Sequence, residues 1–313
     1  MPHYLITGGA GFIGSNLARY LLDRGQKVTV LDNLATGHLH NLQSFRDQIE
    51  FIEGDIRDAD TVAKAMAGCD GISHQAALGS VPRSINDPLA THDVNVNGTI
   101  TVLNVARKMG IKRVVLAASS SVYGRQEVSP KHEGLVTQPI SPYAASKVSC
   151  EAYAQGFAAA YGMETVCLRY FNVFGPQQDP NGAYAAAIPR FVSALLAGER
   201  PTIYGDGTQS RDFCYIENVC HANLLALTAP GDNCDGLPMN IACNQKVSLN
   251  EILVKLNALL ETDLQPIYDP PRTGDIKHSL AALDRAKAMI GYEPQVFFEE
   301  GLERAIAWYR QSQ

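Results

Sequence analysis

The chain has 313 residues, 46% hydrophobic and 19% charged, with a formal net charge of −6, enough for about two domains with a large buried core. No run approaches the ~18 consecutive apolar residues of a membrane span, and the acidic balance argues against a surface for nucleic acid or anionic membrane. Any bound anion must be met by a few placed arginines and helix ends. The seven cysteines are scattered without a Cys-x-x-Cys pair, which suggests neither a disulfide framework nor a zinc site and fits a reducing compartment. His38 and His40 form the one close histidine pair, with no carboxylate or cysteine beside them, so no metal site is expected. The N-terminus lacks a basic region followed by an apolar core, and the sequence reads as cytoplasmic.

In chain order, the first predicted strand, Tyr4–Ile6, leads directly into Gly8-Gly9-Ala10-Gly11-Phe12-Ile13-Gly14 and a helix over 12–24. The run holds both a Gly9-x-Gly11-x-x-Gly14 and a Gly8-x-x-Gly11-x-x-Gly14 spacing. Either serves a tight turn, a backbone bare enough for a pyrophosphate to approach, and a helix N-terminus aimed at its charge. A second strand over 28–31 ends at Asp32, eighteen residues past Gly14. A carboxylate there accepts from an adenosine ribose and repels a 2′-phosphate, favouring NAD over NADP.

Further strands are predicted at 49–52, 71–74, 114–117 and 166–170, alternating with helices at 58–67, 86–109 and 141–161. Strands separated by helices indicate βαβ units: an α/β fold with a doubly wound, parallel, Rossmann-type sheet. After residue 170 the character changes. Residues 171–182 have loop chemistry, followed by a helix near 183–197, a strand at 202–204, and helices near 217–228, 248–261 and 299–311. The expected division is an NAD-binding domain over 1–173 and a smaller mixed α/β substrate domain over 174–313, with parts of 211–242 packing back on the first.

Tyr143 and Lys147 lie four residues apart on the predicted 141–161 helix, so the ammonium can sit beside the phenol. A neighbouring cation favours a phenolate, the form that works as an acid/base. Ser119, Ser120 and Ser121 follow the fifth strand, and carboxyl ends of strands face the ligand crevice in such sheets. The residues alone do not choose among the three serines. The 141–161 helix is also apolar nearly all round, more than one sheet-facing stripe requires, which implies a second buried face.

GGAGFIG at 8–14, SSSVYG at 119–124, Tyr143-x-x-x-Lys147, RYFNVFG at 169–175 and SRDFCYIENV at 210–219 resemble, in this order, the extended short-chain dehydrogenases/reductases and their nucleotide-sugar 4-epimerase branch. The resemblance implies a triad of Ser119, Tyr143 and Lys147, in which Tyr143 exchanges the O4′ proton while the C4′ hydride passes to NAD and back. It implies cofactor contacts from Gly8, Gly11, Phe12, Ile13, Gly14, Asp32, Asn33, Asp55, Ile56, Ala76, Ala77, Asn95, Tyr143, Lys147 and Tyr170. It also implies a homodimer built from the helices at 86–109 and 141–161. A 4,6-dehydratase would place an Asp-Glu pair after the triad hydroxyl, where this chain has Ser120 and Ser121.

For a UDP-sugar substrate the same resemblance implies diphosphate contacts from Arg211 and Arg272, whose guanidinium forks suit bidentate phosphate recognition. It places Asn172 on the nucleotide-sugar, Ala186, Ala187 and Phe191 around the uracil, and Tyr204 as an aromatic face there. Ser120 is a further substrate-side candidate, and Gly79, Ser80, Gln178 and the runs around them (GSVPRS and QDPNGAYAA) resemble bacterial UDP-N-acetylglucosamine 4-epimerases. Ser279 occupies a position that is tyrosine in glucose-restricted epimerases, and a small residue there leaves room for a 2-acetamido group. The expected reaction is therefore UDP-GlcNAc/UDP-GalNAc interconversion. A UDP-glucose or UDP-glucuronate 4-epimerase is the enzymatic alternative and a non-catalytic NAD-binding regulator the alternative of another class.

Overall fold

The computed structural model describes residues 1–180, 186–270 and 277–311. The six predicted strands are present as β1 (His3–Thr7), β2 (Lys27–Asp32), β3 (Glu50–Glu53), β4 (Gly71–His74), β5 (Arg113–Ser119) and β6 (Glu164–Tyr170). They form one parallel sheet with a seventh strand, Asp235–Ile241, in the order Asp235–Ile241, β6, β5, β4, β1, β2, β3. The chain winds outward from β1 through β2 to β3, then restarts at β4 on the other side. That reversal between β1 and β4 opens a crevice at the carboxyl ends of the strands, where ligands bind in such sheets.

The strands carry β-branched and aliphatic residues on both faces, as a sheet covered on both sides requires. One face, with Ile6, Val30, Val115 and Leu168, packs with helices Phe12–Leu22 and Ile216–Thr228. The other, with Leu5, Leu31, Val114 and Leu116, packs with helices Ala59–Met66, Gly98–Lys108 and Pro142–Tyr161. All seven cysteines are buried and unpaired.

Two expectations change. The stretch 86–109 is not one helix: Val81–Asn86 stops at Asp87, which caps a short helix Pro88–His92 by accepting from the Ala90 amide at 3.0 Å. Pro88 lacks the N–H needed to continue the first helix. A π-helical turn, Asp93–Asn97, then leads into Gly98–Lys108. The strand Asp235–Ile241 was not expected, because Gly236 and Pro238 break its β pattern; its register shifts between Asp235 and Pro238. Beyond the sheet, three two-stranded pairings (Val173–Phe174 with Cys214–Tyr215, Ser210–Arg211 with Val247–Ser248, and Thr202–Tyr204 with Ile267–Asp269) tie the second half together.

Candidate active site

The glycine-rich turn has the geometry its spacing predicts. Gly8 adopts φ +69°, and its amide donates to the Leu31 carbonyl at 2.8 Å. A Cβ on Gly8 would lie 2.7 Å from the Ala76 backbone, one on Gly9 2.5 Å from Val30, and one on Gly14 2.2 Å from the Gly8 carbonyl. At Gly11 only the Gly8 carbonyl, at 3.3 Å, comes near. The turn is thus packed tight from behind and bare in front, where Gly11, Phe12 and Ile13 start a helix that leaves amide donors for an anion. A dinucleotide fits this cradle.

Asp32, buried at the end of β2, accepts from the Ala10 amide at 2.9 Å and from the Leu34 amide at 2.8 Å. It therefore fixes the glycine turn against the loop that follows, and its four lone-pair sites leave capacity for a ribose. Nearby, Asn33 donates to Asp55 at 3.0 Å, and Asp55 pairs with Arg57, whose hydrogen bonds hold the carboxyl down at about 2. Ile56 is buried under Gly98.

Tyr143 and Lys147 project from one face of helix Pro142–Tyr161, the Lys147 ammonium 5.9 Å from the Tyr143 ring centroid. Lys147 is buried and donates to the Ala117 carbonyl of β5 at 2.8 Å, two residues before Ser119. Ser119 caps the 3-10 turn Ser120–Tyr123 by accepting from the Ser121 amide at 3.2 Å, which leaves its own proton to be donated elsewhere.

Beneath this pair runs a polar chain. Thr99 Oγ1 donates to the Asn95 carbonyl at 2.6 Å, so toward His74 Nε2, at 3.0 Å, it accepts; the ring proton sits on Nε2, and Nδ1 accepts from Thr7 at 2.7 Å. Burial and, next, the charge of Lys147 hold the His74 imidazole down at about 3, so it is neutral. Asn95 accepts from the Leu78 amide at 2.8 Å and donates to Ser146 at 3.0 Å. It ties the segment carrying Ala76 and Ala77 to the helix of Lys147. The Tyr170 side chain turns to the opposite face of the sheet, where its hydroxyl accepts from Asn223 at 2.8 Å and donates to Gln75 at 3.2 Å.

A cavity of about 280 Å³ lies beyond the carboxyl end of β6. It gathers Asn172, Ala186, Ala187, Phe191, Tyr204 and Arg211 from four separate segments, with Arg190 5.8 Å above the Tyr204 ring. Gly79, Ser80, Ser120, Gln178 and Ser279 do not line it. Ser80 caps helix Val81–Asn86, Gln178 donates to the Val173 carbonyl, and the Ser279 amide donates to the Ser210 carbonyl at 3.0 Å. Arg272 lies outside the described residues.

Residues 4–242 match the model of the NAD dependent epimerase/dehydratase family. The chain belongs to that family. It is 37% identical, over 98% of both chains, to the UDP-glucose 4-epimerase of Mycolicibacterium smegmatis. Among solved structures, the UDP-N-acetylglucosamine 4-epimerase of Methanobrevibacter ruminantium, in complex with UDP-N-acetylmuramic acid, superposes with a TM-score of 0.93 at 39% identity. It covers 100% of this chain and 99% of that one. The UDP-glucose 4-epimerase of Thermotoga maritima with UDP-glucose gives 0.93 at 34% identity, over 99% of each.

Within this epimerase/dehydratase fold, sequence reasoning missed Thr202, Gln209, Phe213 and Leu249 as pocket residues. Phe213 was visible inside SRDF, and Arg190 shares a helix face with Ala186; Thr202, Gln209 and Leu249 gave no local signal. His74, Thr7 and Thr99 were missed as a connected chain because their spacing in sequence has no period. Among the described residues, no helix is long and apolar enough to cross a membrane.

Proposed function

We propose that this chain is an NAD-dependent 4-epimerase of UDP-hexoses whose preferred pair is UDP-GlcNAc and UDP-GalNAc. The observation that carries the reading is the Tyr143–Lys147 pair, anchored to β5 beside Ser119 at the open end of the sheet, with the Arg211 cavity beyond it. NAD, held by Gly8–Gly14 and Asp32, would supply a reversible hydride acceptor. Tyr143 takes the proton from O4′ and returns it. Ser119, with one of its two lone pairs already accepting from the Ser121 amide, donates a hydrogen bond to the same oxygen as it passes through the ketone. Lys147, fixed by Ala117, holds its charge beside Tyr143 and the cofactor ribose. Arg211 and Arg272 bind the diphosphate and Asn172 contacts the nucleotide-sugar, so the sugar can turn its other face while the nucleotide stays in place. Residues 1–173 serve the cofactor, together with the returning 216–241 segment, and the remainder serves the nucleotide-sugar.

The acetamido preference is supported by the likeness to the Methanobrevibacter UDP-N-acetylglucosamine 4-epimerase and by the small Ser279. Ser279→Tyr is expected to abolish turnover of UDP-GlcNAc while sparing UDP-glucose, followed by NMR of the anomeric protons. Unchanged acetamido-sugar turnover would sink the pocket argument. A homodimer through helix Pro142–Tyr161 is favoured by its exposed Ala152, Tyr153, Ala159, Ala160 and Tyr161; a monomer at micromolar concentration by light scattering would contradict it.

A further inference from the structure

Asp212 is wholly buried between two residues of the cavity, Arg211 and Phe213. Its compensating interactions are backbone N–H groups rather than cations: Oδ1 accepts from Cys243 at 2.9 Å and Oδ2 from Ala281 at 3.1 Å. Burial pushes the carboxyl up to about 6, while the amides of Cys243, Ala281, Gln245 and Asn244 pull the other way. Nothing in the hydride or proton transfer uses this group. A buried carboxylate that stands apart from the chemistry is costly, and its bonds say what it does.

Cys243 directly follows the sheet strand Asp235–Ile241 and Ala242. Ala281 ends the segment whose Lys277 carbonyl accepts from the Ser210 amide at 3.0 Å and from the Arg211 guanidinium at 3.2 Å. The Asp212 carbonyl accepts from Asn172 Nδ2 at 3.0 Å, and Asn172 sits past β6 with φ +32°, a backbone that needs outside support. Asn172 is thus bonded to residue 212 directly, whereas Arg211 donates to the carbonyls of Ser210 and of Lys277, the latter four residues before the Ala281 that Asp212 holds.

We propose that Asp212 is a positioning residue: its carboxylate clamps the Lys277–Ala281 segment to the end of the central sheet and so fixes Arg211 and Asn172 for the nucleotide. The inference rests on the reading that this cavity receives the nucleotide part of a UDP-sugar. Asparagine is the informative replacement. It keeps the shape but offers one acceptor oxygen and turns an NH2 toward the other backbone N–H.

In the purified holoenzyme, Asp212→Asn is expected to raise the KM for the UDP-sugar and the Kd for UDP, by calorimetry, about tenfold each. Under that expectation kcat falls less than about threefold and NAD content is unchanged. Unchanged KM and Kd, or a loss confined to kcat, overturns the proposal. A measurement on the wild-type protein covers a variant that does not fold. Amide hydrogen exchange at Cys243 and Ala281 should slow when UDP is added, and exchange that UDP leaves unchanged at both positions overturns the clamp. Wild-type protein that binds no UDP would defeat the functional reading as well; UDP binding with an unaltered Asp212→Asn protein defeats the clamp alone.

Discussion

The two ends of the active-site crevice are built differently. At the cofactor end the glycine turn is one contiguous piece of chain, a strand, a turn and a helix, in which Gly8, Gly9 and Gly14 are enforced by atoms of Ala76, Val30 and Gly8 that lie 2.2 to 2.7 Å from where a side chain would begin. The end proposed for the nucleotide-sugar collects Asn172, Ala186, Tyr204 and Arg211 from separate segments held by two-stranded pairings and by the hydrogen bonds of Asp212. The first is constrained by close packing against its neighbours, which leaves the turn one conformation. The second is held by long-range hydrogen bonds and strand pairings, so its side chains can change without disturbing the glycine turn.

The largest expected effect lies where the two ends meet. Tyr143→Phe should lower kcat by about 10³-fold or more, because it removes the group proposed as the acid/base, yet leave NAD content and UDP affinity within about twofold; a turnover loss of less than about tenfold would remove Tyr143 from the chemistry. Gly14→Ala probes the cofactor end alone. Its Cβ meets the Gly8 carbonyl, so the turn must open at a cost of about 1–3 kcal/mol, and NAD affinity should drop at least about tenfold by titration calorimetry. Phe191→Ala, at the other end, should weaken UDP without changing NAD affinity. Equal losses of both ligands in either variant would break the contrast between a local and an assembled end.

A pH dependence of stability is expected as well. His74 is neutral in the fold at about 3 but has an ordinary value near ~6.5 when unfolded. The unfolded chain therefore binds the extra proton, and the stability His74 contributes is complete above pH 6.5 and declines toward pH 3, by about 1.4 kcal/mol per unit. His74→Gln should flatten that slope in urea melts between pH 4 and 6.5; an unaltered slope would show that His74 does not titrate there.

Much of the cofactor end was legible in the sequence because its determinants are consecutive: Gly8, Gly11, Gly14 and Asp32 stand at spacings that sterics and a helix terminus dictate. The Tyr143–Lys147 pair was legible from helical spacing. The strand at 235–241 was not, since Gly236 and Pro238 hide its pattern and its pairing with β6 bridges some seventy residues. The roles of Asp212 and His74 were hidden for the same reason: each acts through partners far away in sequence, and only folding brings Cys243 to Asp212 or Thr99 to His74. Motif resemblance named Asn172, Phe191, Tyr204 and Arg211, which residue chemistry alone would have left as a loop residue, a helix phenylalanine, a packed strand tyrosine and a surface arginine.

The most direct test is to incubate the purified protein with UDP-GlcNAc in deuterium oxide and follow the sugar by proton NMR. A reversible hydride transfer within the site predicts that UDP-GalNAc appears with its C4′ hydrogen undiluted by deuterium. Deuterium entering C4′ from solvent, or no 4-epimer from UDP-GlcNAc, UDP-glucose or UDP-glucuronate while NAD is bound, would contradict it.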